Sequence, residues 1–188
     1  MPILAKEPDL YPSDLLDRYL AGEFEDHQWW ALYTLSRREK ELMRRLRAMD
    51  IAFYAPLIPR RRRSPAGRIR TSHVPLFANY VFLCGSDFQR YEALTTNCIA
   101  RSILVSDDRR LAEDLKRIHD LIQTGHPLTP ESRLQAGQRV RIRTGPLRGI
   151  EGTVIRRENV TRLLVAVRFM RQGASAILDD CELEPIGL

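Results

Sequence analysis

The sequence predicts an α+β chain in two parts: an antiparallel sheet with flanking helices, then a small SH3-like all-β barrel. Three observations carry this. Aromatic and β-branched runs alternate with helical periodicities from residue 28 to residue 123. A polar stretch with two prolines, TGHPLTPESRLQA, fills residues 124–136 and reads as a linker. Beyond it, GQRVRIRTGPLRGIEGTVI at 137–155 sets short alternating strands around Gly145, Gly149 and Gly152. The expected plan is an extension over 1–26, a first domain over 27–123, the linker, and a second domain over 137–188.

Taken in order, residues 1–26 are polar, proline-marked and expected to be peripheral, with one short helix at 14–21 capped by Ser13 and ended by Gly22. QWWALYTL, residues 28–35, reads as a buried strand. Ser36 and Glu39 stand at capping-box spacing and start a helix at Arg37. Leu42, Leu46 and Met49 would bury one face of it, while Arg37, Arg38, Arg44, Arg45 and Arg47 crowd the rest.

IAFYAPLIP, residues 51–59, makes a second strand closed by prolines. RRRRSPAGRIR, residues 60–70, has a Pro-Ala-Gly turn between basic arms and predicts a protruding β-hairpin. VPLFANYVFLC at 74–84 is another aromatic strand. Ser86 and Gln89 repeat the capping-box spacing before a helix with Phe88, Tyr91 and Leu94, and a strand follows at 99–105. Asp108 caps a last helix, lined by Leu111, Leu115, Ile118 and Ile122 and ended by Gly125 and Pro127.

In the second domain Val140 and Ile142 face inward, and Arg139, Arg141 and Arg143 face water. The GPLRG segment suits a tight turn. Strands follow at 163–169, 176–178 and 183–186, giving five in about fifty residues, the mark of a small barrel.

Composition narrows the function. The chain has 188 residues and a formal charge of +6, and only Lys6, Lys40 and Lys116 are lysines, so arginine carries the excess. That balance favours a polyanion or an acidic protein surface. Apolar residues make up 44%, enough for real cores. Cys84, Cys98 and Cys181 are widely spaced and read as core thiols in a reducing compartment. His27, His73, His119 and His126 lack metal-ligand spacing, so neither a metal nor another cofactor is expected. No apolar run nears the roughly 20 residues that span a bilayer, and Lys6, Glu7 and Asp9 replace an export signal core, so the cytoplasm is expected. Enzyme signatures are missing: no Gly-rich phosphate loop followed by Lys, no nucleophile elbow, no paired carboxylates in a readable motif.

Residues 137–155 resemble a KOW motif, the small barrel of ribosomal proteins and elongation factors. WWALYTLSRREKELMRRL, YAPLIP, the basic hairpin and PLFANYVF resemble, in that order, the N-terminal domain of the NusG/RfaH family of transcription elongation factors. Together the two likenesses span residues 28–186.

The resemblance implies a monomer whose N-terminal domain binds the clamp helices of the largest RNA polymerase subunit through an apolar pocket, suppressing pausing. Tyr33, Phe77, Tyr80 and Phe82 match that pocket. Alternation puts Tyr80 and Phe82 on one face and Phe77 on the other, which ranks Phe77 last. Specialised members also read the non-template DNA strand in the transcription bubble. Arg45 matches a position of that kind, with Arg37, Arg38 and Arg101 near it. The hairpin arginines Arg60, Arg61, Arg62, Arg63, Arg68 and Arg70 suit non-specific contact with upstream duplex.

In housekeeping members the KOW barrel docks on the termination factor Rho or on a small-subunit ribosomal protein, and the contact loop aligns with Phe169 and Met170. Widespread members carry a PGY tripeptide where this chain has Ala78-Asn79-Tyr80; LFANY is nearer to RfaH-like members. Val74 stands where some of those have an acidic residue. Some RfaH-like barrels refold into a helical hairpin, but the Val, Ile and Thr of residues 139–183 favour strands. The reading is therefore a specialised, operon-targeted paralogue. The alternatives are a housekeeping factor coupled to Rho and ribosomes, and a KOW-type RNA-binding ribosomal protein.

Overall fold

A computed structural model describes residues 6–24, 26–65, 67–133, 136–157, 159–178 and 183–186. Cys181 lies outside them, as does Ala66 of the hairpin turn. The chain divides into two units, Met1–Asp108 and Arg109–Leu188.

In the first unit five antiparallel strands run in the order β1-β3-β6-β2-β7: β1 (Leu10–Tyr11), β2 (Gln28–Thr34), β3 (Ala52–Tyr54), β6 (Tyr80–Gly85) and β7 (Ile99–Leu104). The helices are α1 (Leu15–Leu20), α2 (Glu39–Ala48) and α3 (Asp87–Leu94). One face of the sheet presents Trp30, Leu32, Phe53, Val81 and Leu83 to Leu42, Met43 and Leu46 of α2, all buried. Each such side chain contributes about 1.5–3 kcal/mol through removal from water.

Helix α2 ends in a Schellman motif. Asp50 takes a left-handed backbone at φ 57, Ile51 N–H donates to Leu46 O at 2.9 Å, and Asp50 N–H donates to Arg47 O. Ile51 then turns into the core at 0% exposure. The Ser86–Gln89 capping box is present in both halves.

Four expectations are corrected here. The extension is not peripheral: β1 pairs with β3, and Leu15 and Leu16 are buried. Ser36 and Glu39 form no capping box; Arg37 sits at φ 61, the helix begins at Glu39, and its carboxylate bonds elsewhere. The run 51–59 is two strands, because Ala55 and Pro56 break it before β4 (Leu57–Arg63). Strand 74–84 is likewise broken, between β5 (Ile69–Pro75) and β6, by a turn in which Asn79 has φ 64. Strand alternation cannot be counted across that turn, so the low ranking of Phe77 loses its basis.

Strands β4 and β5 pair from Leu57↔Pro75 to Arg63↔Ile69 and form the predicted two-stranded arm.

The second unit holds α4, which runs Asp108–Gln123, and a six-stranded antiparallel sheet. Its order is β13-β9-β10-β11-β12-β8: β8 (Leu128–Glu131), β9 (Gln138–Ile142), β10 (Glu151–Arg157), β11 (Val160–Val167), β12 (Gln172–Ile177) and β13 (Leu183–Pro185). Val140 and Ile142 are buried and Arg141 and Arg143 are exposed, as alternation predicts. Gly152 must be glycine: a Cβ there would lie 2.6 Å from Leu164 O on the next strand.

The stretch expected as a linker over 124–136 contains β8, which pairs with β12. Its Glu131 carboxylate, nearly buried, accepts Ser175 Oγ–H at 2.6 Å and pairs with Arg157 at 2.9 Å. Proline content hid this strand; Pro130 is tolerated because β8 lies at the sheet edge.

Candidate functional site

Tyr33 is the last but one residue of β2 and Tyr80 begins β6, and the two are register partners. Their rings meet edge to face at 5.2 Å between centroids, and both are half-buried. Across from Tyr33 on the other side lies Arg101 of β7, its guanidinium 5.9 Å from the Tyr33 ring. Arg101 therefore joins the aromatic pair, on the face that also carries Phe82. Phe77 and Phe82 are different: they pack on each other at 6.2 Å and are buried at 1% and 0%.

The loops at this end of the sheet are stitched together. Thr34 N–H donates to Asn79 O, Leu35 N–H to Cys98 O, and Asn79 N–H to a Glu39 carboxylate oxygen, each at 2.8 Å. Glu39 is 8% exposed. Asparagine tolerates the left-handed backbone that Tyr80's entry into the sheet requires, which is how this chain manages without glycine at that position.

The basic face of α2 is partly neutralised from within. Glu41 pairs with Arg38 and, at 2.8 Å, with Arg45. The hydrogen bond from Arg38, with further help from Arg45, holds the Glu41 carboxyl below the usual carboxylate range. Arg37 is exposed on its own left-handed turn. Sequence reading passed over Glu41, although its spacings of three from Arg38 and four from Arg45 are those of helical ion pairs.

On the arm, Arg60, Arg61, Arg62, Arg63, Arg68 and Arg70 are all exposed. Register sets Arg62 directly opposite Arg70, so Arg60, Arg62 and Arg70 share one face, with Arg61 and Arg63 on the other. Like charges opposed on paired strands are destabilising alone, and an anion would relieve them.

In the second unit, Arg168–Met170 form a 3-10 turn closed by Arg171 at φ 55. Phe169 is 40% exposed and Met170 half-buried. Among the described residues no group of three or more His, Cys, Asp or Glu side chains is placed to hold a metal. No helix among them is long and apolar enough to cross a membrane.

The family model NusG, described as transcription termination factor nusG, matches residues 27–127. That stretch includes both tyrosines, α2, the arm and Arg101. Comparison with curated proteins found no match.

Proposed function

The chain belongs to the NusG family of transcription factors, and from that premise we propose that it is an elongation and antitermination factor gripping the clamp helices of RNA polymerase with its Tyr33–Tyr80 face. The observation that carries this reading is the pair of half-exposed rings set edge to face at 5.2 Å on a rigid sheet. Such rings bury a large area at low entropic cost. Phe77 and Phe82 are buried and pack on each other. Binding of this kind favours one polymerase conformation over another, an equilibrium shift without covalent chemistry.

Two basic surfaces supplement the grip. Arg37, Arg38 and Arg45 are assigned to the non-template strand, and the arginine arm to upstream duplex phosphates. LFANY, the basic α2 face and residues 1–26 favour an operon-targeted paralogue. The exposure of Phe169 favours a second reading, in which a KOW-type C-terminal domain couples transcription to Rho or to a small-subunit ribosomal protein.

Capture of purified polymerase by the Tyr33→Ala/Tyr80→Ala double variant tests the grip. Loss of capture with an unchanged circular dichroism spectrum is expected, and full capture would end the assignment. Polymerase-associated occupancy across the genome separates the two readings: a few operons for the specialist, most genes for the generalist.

A further inference from the structure

We propose that Asp114 is a positioning residue for the turn bearing Phe169 and Met170. This rests on reading Phe169 and Met170 as the partner contact.

Asp114 is 1% exposed. One oxygen of its carboxylate is held by Arg117 on the same helix. The other accepts the backbone N–H of Arg168 at 2.9 Å. A buried carboxylate is costly unless fully partnered, and the apolar stripe of α4 does not need one. Leu111, Leu115, Ile118 and Leu121 already supply that stripe. The second bond explains the placement, since it reaches the first residue of the 3-10 turn.

That turn is fixed from every side. Val167, at 0% exposure, anchors its start, and Arg171 N–H closes it onto Arg168 O at 3.1 Å. With Arg168 N–H also committed to Asp114, the backbone of the turn cannot rearrange at Arg168 without breaking a part-buried, charge-assisted bond. The turn is thereby pre-organised, and a partner need not order it on binding. Linkage then runs both ways: whatever binds Phe169 and Met170 in this geometry also favours α4 in its docked position. A cavity of about 160 Å³ beside Asp114 is lined in part by Arg117, Arg139, Thr153 and Arg168.

The test uses the full chain, with Asp114→Ala, Asp114→Asn and Phe169→Ala. Amide exchange of residues 168–171 and of α4 should accelerate together in Asp114→Ala, on the order of tenfold or more, with residues 27–107 unchanged. Binding to purified Rho and to isolated small ribosomal subunits should fall for whichever of the two Phe169→Ala weakens. Asp114→Asn keeps an acceptor for Arg168 and should lie between wild type and Asp114→Ala; it decides the matter if the alanine variant does not fold. Unchanged exchange in the turn overturns the proposal, as does a loosened turn with undiminished binding. Should Phe169→Ala bind both partners fully, the partner reading fails by itself, and exchange alone still decides whether Asp114 holds the turn.

Discussion

The Glu39 carboxylate accepts the backbone N–H of Asn79 at 2.8 Å, tying the first turn of α2 to the left-handed residue that precedes Tyr80. Removing a charged acceptor from a buried N–H costs roughly 1–3 kcal/mol, and the Asn79 N–H is part-buried. Glu39→Ala should lose stability of that order in urea titration and weaken polymerase capture besides. Asn79→Gly should leave both unchanged. Asn79→Ala should cost about 1–2 kcal/mol, because alanine resists positive φ.

Glu41 restrains two of the arginines assigned to DNA. Glu41→Gln should tighten binding to single-stranded DNA and steepen its salt dependence, whereas Arg45→Ala should weaken and flatten it. The sign with pH follows from the depressed Glu41 carboxyl. It stays ionised until the pH falls below the ordinary glutamate range, so wild-type affinity should be level through neutral pH. It should rise only in stronger acid, as Glu41 loses its charge and releases Arg38 and Arg45. Filter-binding titrations across salt and pH check both points.

Arg60, Arg62 and Arg70 crowd one face of the arm. Replacing all three with alanine should lower duplex affinity and reduce the log–log salt slope by about 0.9 for each phosphate no longer neutralised. Thermal stability should hold or improve, since the opposed Arg62–Arg70 pair is gone. A slope left unchanged would return these side chains to ordinary solvated charge.

Burial pushes the Cys84 thiol up to about 12, and the side chain is 0% exposed. At pH 8 it should therefore react with a disulfide reagent no faster than the first unit opens. Peptide mapping of labelled protein should show Cys84 modified at once in denaturant and only slowly without it.

Much of this was legible in the sequence, and the exceptions have physical causes. Periodicity located α2 and α4, because their buried stripes are long enough to register; α3 buries only Ala93, with Phe88 and Tyr91 exposed, and its capping box marked it instead. The Ser86–Gln89 box was readable since both of its bonds are local. Ser36–Glu39 has the same spacing, but there a distant backbone group, Asn79 N–H, claims the carboxylate. Strand β8 escaped notice because Pro130 and Thr129 look like linker and only its pairing with β12 makes it a strand. Among the site residues, alternation ranked Phe77 below the other three rings but could not separate Phe82 from Tyr33 and Tyr80. Tyr33 and Tyr80 reach the surface while Phe77 and Phe82 do not; Phe82 shares a face with Tyr80, and its packing against Phe77, which lies in the turn at 76–79, is a contact that no alternation count supplies.

The pairing of Leu10 and Tyr11 with Tyr54 and Phe53 has a practical consequence. Those few amino-terminal residues occlude a row of backbone donors and acceptors that would otherwise recruit strands from neighbouring copies. Trimming the chain back to residue 27, where the family likeness starts, would strip that cover, and turbidity in the tube would then mimic a loss of activity.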